Sequence, residues 1–472
     1  MSRSGMVCAP QLCDKNRQDG ELTAGQSWRD CPSDCGESVQ YIMAILYSSG
    51  MSYSRRVVDT ELDQLLPDLP AISLDGPKGV GKTATASRRA DVVFRLDDRD
   101  EHEIVDADLT QLDRDPGTVL IDEWQRLPAV WDYVRRSVDS GAPAGRYLLT
   151  GSAVPAEAPV HSGAGRIVSI RMRPMALAER ELAVPSVSLQ RLLSDDGADI
   201  GGASEVTLSD YVEEIVASGL PGIRPLGSRG RTAALAGYLT RVVERDFPDQ
   251  GLRVRRPQAL RGWLTAYAAA TASTASYTTL LDAATPGEAD KPARGTTVGY
   301  RDVLSQLWLL DPVPGWLPTH STLSKIGTAP KHHLADPALA ASLLGVDAQA
   351  LLTGHVAKTP LRDGTLLGAL FESLVTLSVR VYAQAAGAHT RHLRMHNGSH
   401  EIDLIIERPD QRVVALEVKL AASVNDSDVR HLLWLRDRIG ENLLDAAVVT
   451  TGTRAYRRKD GIAVIPAALL GP

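Results

Sequence analysis

The sequence predicts an α/β protein of several domains, and three observations carry that reading. A glycine-rich turn at residues 76–83 follows the short run Ala71, Ile72, Ser73, Leu74 and leads into a helix-competent stretch. Two further apolar runs, residues 118–121 and 147–149, end in acidic or polar residues. Buried parallel strands look like this, and their carboxyl ends face ligands. Near the carboxyl terminus, runs around Asp403 and Glu417 alternate and then turn apolar, which predicts a second sheet. With 472 residues the chain has room for two or three domains.

The turn reads Gly76, Pro77, Lys78, Gly79, Val80, Gly81, Lys82, Thr83, the pattern G-x-x-x-x-G-K-T. Strand, glycine turn and helix in succession make this a phosphate-binding loop. Its glycines let the backbone curl so that N–H groups point at phosphate oxygens, and the helix that follows adds partial positive charge. Lys82 is expected to reach the β- and γ-phosphates, and the Thr83 hydroxyl to hold a magnesium ion. The bound species expected here is ATP.

Composition sets bounds. An apolar fraction of 43% and a charged fraction of 23% describe an ordinary globular protein. A net charge of −7 argues against a protein that coats nucleic acid over its whole surface, though not against local basic patches. No run of about 18 apolar residues suggests a membrane span. Residues 39–47 are too short and lack the flanks of a secretion signal. The expectation is a cytoplasmic protein with no membrane contact. All four cysteines, Cys8, Cys13, Cys31 and Cys35, lie at the start and lack tight C-x-x-C spacing. Residues 1–50 are read as a disordered extension, with Met51 a natural start.

A helix is expected over residues 57–66, a buried second strand over 91–96 and a surface helix over 104–112. In the strand that ends Leu120, Ile121, Asp122, Glu123, the carboxylates take distinct roles. Asp122 is placed beside the magnesium through a water, and Glu123 polarises the water that attacks the γ-phosphate. At the end of the next strand, Thr150 or Ser152 either senses the γ-phosphate or simply ends a strand. Arg166 is the candidate arginine for γ-phosphate charge, in its own subunit or a neighbour's, with Arg171 and Arg173 as competitors. Residues 175–216 are expected to be helical apart from a loop over 197–202. Helices over 232–247, 263–272, 276–283 and 297–310 follow, the last three suggesting a winged-helix-like, DNA-facing module or a packing lid. Arg253, Arg255, Arg256 and Arg261 form the densest basic run.

A long helix over residues 364–383 carries Glu372. Two strands joined by a turn at Pro409 and Asp410 would bring Asp403 and Glu417 together, with Lys419 on the same face as Glu417. Two carboxylates can hold magnesium, and a lysine beside them can orient or deprotonate a water. That is the chemistry of phosphodiester cleavage; the plainer reading is a hairpin with one cross-strand ion pair. The expected C-terminal core is αβββαβ.

Taken together, residues 51 to the end resemble the prokaryotic AAA-type (P-loop) ATPases fused to a C-terminal domain of unknown function with a PD-(D/E)xK nuclease-like core. The motifs are residues 76–83 as Walker A, 120–125 as Walker B, 148–152 as the sensor strand, and Gly165 with Arg166. Farther on they are Phe371-Glu372, Glu401-Ile402-Asp403 and Glu417-Val418-Lys419. The resemblance implies a P-loop NTPase (AAA-like) domain over 51–180 and a helical, winged-helix-like middle over 181–330. It also implies a restriction-endonuclease-like α/β domain over 331–472, ATP with Mg2+, and association with DNA. The competing expectation is an ATP-driven switch or scaffold whose nuclease-like fold only binds. Oligomeric state is left open.

Overall fold

The computed structural model describes residues 53–152, 163–252, 254, 256–284, 294–318, 328–356, 359–360, 365–395 and 398–472. The four cysteines, Arg253 and Arg255 lie outside them.

The phosphate loop leaves a parallel sheet of five strands: β1 (Ala71–Asp75), β2 (Val92–Arg95), β3 (Val119–Asp122), β4 (Tyr147–Gly151) and β5 (Val168–Arg171), ordered β2-β3-β4-β1-β5. Both faces of its centre are covered, which is why β1, β3 and β4 read as unbroken apolar runs. Ile72, Leu74, Leu120 and Leu148 pack with Val58 and Leu62 of α1 (Val57–Leu65) and Ala86 of α2 (Lys82–Ser87). Val119, Ile121, Tyr147 and Leu149 pack on the other face. They meet Val130 and Val134 of a later helix, Ala129–Asp139.

Two expectations need correction here. β2 is a half-exposed edge strand, not a buried one. The surface helix starts earlier than residue 104, as α3 (Arg99–Ala107), because the Asp98 carboxylate accepts from the N–H groups of Asp100 and Glu101. The helix Ala129–Asp139, here α4, had no sequence assignment.

Residues 175–216 are not continuously helical. They hold a 3-10 turn at Leu177–Glu179, a two-residue strand Val187–Ser188 paired with Leu470–Gly471, a single turn at Leu189–Leu192 and then α5 (Leu208–Ala217). Glu181 at φ 57° and Gly197 at φ 73° break the helical path. Next come α6 (Ser228–Arg241), a π-turn at Val242–Asp246, α7 (Pro257–Ala269), α8 (Tyr277–Ala284) and α9 (Arg294–Gln306). Three helices form in the expected order, but α7 starts at Pro257 rather than 263, and α9 ends at Gln306 rather than 310, where Trp308 takes φ 61°. The extended arms after them, bridged Leu310 to Leu334 and Val313 to Lys331, run into the C-terminal domain, where β6 (Gly315–Trp316) joins its sheet. Residues 319–327, between the two arms, lie outside the described residues.

After α10 (Pro337–Leu344) and α11 (Ala348–Thr353), the C-terminal part is α12 (Thr365–Ala385), β7 (His389–Arg394), β8 (Glu401–Glu407), β9 (Val413–Lys419), α13 (Asp426–Ile439) and β10 (Leu443–Thr450), then β11 (Tyr456–Arg457) and β12 (Ala463–Pro466). Its first six elements follow the expected αβββαβ order. The sheet has seven strands, ordered β11-β12-β10-β9-β8-β7-β6. α12 is long and apolar enough to cross a membrane by composition, but 67% of it is buried in the protein. It is the core helix on which Leu404, Leu416 and Ala447 pack.

Candidate nucleotide site and C-terminal acidic centre

The loop is shaped by its glycines. Gly81 adopts φ 99° directly before α2, a conformation side chains resist. A Cβ on Gly76 would lie 2.2 Å from the Met172 carbonyl oxygen, so only glycine lets the loop pass the end of β5. The Lys82 ammonium turns into this cradle and donates to the carbonyl oxygens of Gly76, at 2.8 Å, and Pro77, at 3.1 Å. Lys82 is 6% exposed. Burial pulls it down to about 8, against the raising pull of Glu123, Asp75 and Asp122. A buried ammonium whose hydrogen bonds among the described residues go to backbone carbonyls, beside a curled backbone, fits a polyphosphate.

The other predicted residues converge on the same carboxyl edge of the sheet. The hydroxyl of Thr83 donates to Asp122 Oδ1 at 2.8 Å, and the fully buried Thr150 hydroxyl donates to the same oxygen. Thr150 thus orients Asp122. Glu123 sits at φ 55°, a strained conformation for a non-glycine residue. Its carboxylate accepts from Ser152 Oγ at 3.1 Å and from Gln125 Nε2. Thr83 and Asp122 are the pair that would hold Mg2+, whose chemistry is to neutralise developing phosphate charge. Pro77, Gly79 and Val80 supply loop backbone. Lys78 points outward and pairs with Asp246 of the π-turn at 2.5 Å.

Arg166 is placed at the wrong edge to serve its own nucleotide. β5 runs parallel to β1 with Val168 beside Ile72, so Arg166 precedes the amino edge while the loop leaves the carboxyl edge. At about 3.3 Å per residue the strand from Val168 to Arg171 alone separates the two edges by roughly 10 Å. Its guanidinium pairs with Asp139 at the end of α4, at 2.8 Å. The competitors Arg171 and Arg173 do reach the carboxyl edge, but both are spent on the buried Asp311, at 2.9 and 2.8 Å.

In the C-terminal sheet, Leu404 faces Leu416, which sets Asp403 beside Glu417 as expected. The paired ladder stops there, and Asp403 Oδ2 instead accepts the N–H of Val418 at 2.9 Å. Lys419 pairs with Glu417 Oε1 at 2.8 Å, while the buried Oε2 accepts no hydrogen bond. The expected metal position is filled from the chain itself. Lys331, 1% exposed, places its ammonium 2.8 Å from Glu372 Oε1, 2.9 Å from Asp403 Oδ1 and 3.6 Å from Glu401. Burial opposes charge on Asp403, but Lys331 and the Val418 N–H win and hold its carboxyl below the usual range. Burial and the Asp403 charge push Glu372 and Glu417 upward. As arranged, Asp403 and Glu417 do not fit a divalent ion, and among the described residues no acidic or histidine cluster is set to hold one.

The two sites are joined by contacts that sequence reading missed. Met172 N donates to Asp75 O at 2.7 Å, directly before the loop. Its neighbours Arg171 and Arg173 clamp Asp311, which also meets Arg380 of α12 at 3.0 Å. Two residues on, Val313 exchanges both backbone hydrogen bonds with Lys331, each 2.9 Å. Arg56 ties the assembly from outside the sheet, donating to Val80 O at 2.8 Å and Arg173 O at 2.7 Å and pairing with Glu179 at 3.1 Å.

Comparison with known proteins agrees with the first site. An AAA domain family matches residues 68–181, and two domains of unknown function match residues 208–350 and 367–470. Uncharacterised proteins of Mycobacterium tuberculosis and Mycobacterium bovis are each 26% identical over 431 residues, covering 89% of this chain and 85% of theirs. Among solved structures, a Walker-type ATPase of Pyrococcus abyssi aligns at 15% identity and TM-score 0.34, covering 60% of this chain and 94% of its own. The ORC2 protein of Aeropyrum pernix, in ADPNP-ADP complexes, aligns at 13% identity and TM-score 0.27, covering 69% and 98%. The AAA domain match spans the phosphate loop, Asp122 and Glu123, the residues that form the first site.

Proposed function

We propose that the protein is an ATP-hydrolysing switch whose nucleotide state is passed to a nuclease-like C-terminal domain that binds nucleic acid. The observation that carries the ATPase part is the buried Lys82, whose hydrogen bonds among the described residues go to loop carbonyls, with Thr83, Asp122 and Glu123 converging beside it. Lys82 neutralises phosphate charge and Glu123 orients the attacking water. The route to the C-terminal domain is the run from the loop through Met172, the Arg171–Asp311–Arg173 clamp and the Val313–Lys331 bridge. A ligand shifts such a route only by contacting one arrangement better than another. The rim of the acidic centre supports nucleic acid as the bound class. His400 stacks on Trp434 with ring centroids 3.9 Å apart, and Arg394 and Arg430 lie exposed nearby in sequence.

Hydrolysis assays test the first part. Lys82→Ala should lose ATP turnover by about 10²-fold or more, and Glu123→Gln should lose turnover while still binding ATP. A second reading, cleavage of DNA, has in its favour the buried Glu417 oxygen that accepts no hydrogen bond among the described residues, but it requires Lys331 to leave the acidic centre first. Magnesium-dependent nicking of plasmid or single-stranded DNA that Glu417→Ala and Lys419→Ala both abolish would establish it. Cleavage unchanged in those variants would belong to a contaminant.

A further inference from the structure

We infer that Lys331 is the resident cation of the C-terminal acidic centre and stands where a divalent metal would otherwise sit. This deepens the nuclease-like reading of that sheet, and it does not depend on ATP hydrolysis.

The case is one of charge and seating. Glu372, Glu401 and Asp403 come from α12 and β8, and their carboxylates converge on one ammonium at 2.8, 3.6 and 2.9 Å. Carboxylates this close repel one another unless a cation lies between them. Lys331 is not a surface side chain that has folded in. It is 1% exposed, and its backbone is locked to Val313 by two hydrogen bonds. The next residue, His332, exchanges backbone hydrogen bonds with the end of the α7 region, its N–H to Ser273 O and its carbonyl from Ala272 N, both 2.8 Å. The lysine is thus delivered by the middle region into the C-terminal domain, from a strand outside the αβββαβ core. It takes one oxygen of Asp403 while Val418 N–H takes the other, leaving that carboxylate no oxygen free of a partner. A divalent ion needs several oxygens at about 2.0–2.6 Å, and the Lys331 ammonium, 2.8 Å from Glu372 and 2.9 Å from Asp403, occupies the position from which it would reach them.

Removing the ammonium should turn the same carboxylates into a metal site. Glu372 and Asp403 would lose their common partner, and Glu417 already presents an unpartnered buried oxygen on the adjacent strand.

The test counts Mn2+ bound per full-length chain, without nucleotide, from the electron paramagnetic resonance signal of free Mn2+. The wild-type protein should show no bound ion that Asp403→Asn or Glu417→Gln removes. Lys331→Met should gain one ion per chain, lost again in Lys331→Met/Asp403→Asn. Wild-type protein that holds an Mn2+ lost in Asp403→Asn, but kept in Thr83→Ala, overturns the inference. So does a folded Lys331→Met that gains none. If Lys331→Met does not fold, Lys331→Met/Glu372→Gln keeps the charge balance, and the wild-type arm decides alone. ATP turnover enters neither arm, so failure here and failure of the ATPase reading are separable.

Discussion

Lys82 and Lys331 are both buried among carboxylates beside β-sheets, yet they are built for opposite ends. Lys82 donates to two carbonyl oxygens and faces Asp75, Asp122 and Glu123 only at a distance; burial dominates and its ammonium is pulled down to about 8. Lys331 touches two carboxylates directly, and they raise its affinity for the proton despite burial. The first lysine is short of an anion and the second has its anions in hand. A buried cation without a close counter-ion is costly to stability and useful for binding, whereas a compensated one resists removal. The difference separates a site awaiting a polyphosphate from one that is closed.

Removing each lysine should therefore fail in a different way. The largest effect is on function: Lys82→Met abolishes ATP turnover but leaves the melting temperature unchanged or higher, because an under-paired buried charge is lost. A Lys82→Met protein that melts well below wild type would break the comparison. Lys331→Met should instead cost about 3–5 kcal/mol in denaturant unfolding, because carboxylates are left buried without their cation. A cost under about 1 kcal/mol would show that Lys331 is an ordinary surface-type pair.

Asp311 sharpens the comparison through pH. Its carboxyl is fully buried and disfavoured there, but Arg171, Arg173 and Arg380 hold it well below the usual carboxylate range, with the Tyr267 hydroxyl and the buried His333 imidazole also titratable nearby. A depressed folded value means the unfolded chain binds the proton first, so the stabilisation is complete above pH about 4 and is lost as pH falls below it. Asp311→Asn should lower stability at neutral pH and flatten the acid limb of the unfolding profile; an unchanged acid limb contradicts the clamp. The smallest effect is expected at Arg166. Its pair with Asp139 is half-exposed, so Arg166→Ala should change stability by less than about 1 kcal/mol. At protein concentrations where the chain is monomeric, turnover should also hold. A drop in turnover there would mean that Arg166 reaches its own nucleotide after all.

Much of the nucleotide site was legible because its chemistry is written in contiguous residues. The eight loop positions and the pair Asp122, Glu123 need only local spacing to be found. The placement of Arg166 was not legible, since the edge it occupies depends on β5 lying parallel to β1. Lys331 carried no local signal because its partners Glu372 and Asp403 lie 41 and 72 residues away. The Arg173–Asp311 contact spans 138 residues. α4 carried a signal that could have been used: Val130, Val134 and Val138 follow Pro128 at helical spacing. The broken stretch 175–216 misled because its apolar residues serve a short strand paired with the chain's last residues, a contact that helical periodicity cannot reveal. Asp246 is likewise aimed at Lys78 by a π-turn that no sequence pattern announces.

The central claim is that Lys82 awaits an anion supplied from outside the chain. Calorimetric titration of wild-type protein and Lys82→Met with ATP in magnesium buffer tests it most directly. The account predicts saturable binding of one ATP per wild-type chain and none in the variant at the same concentrations, with both proteins folded by circular dichroism. Equal ATP uptake by the two, or none by the wild type, would contradict it.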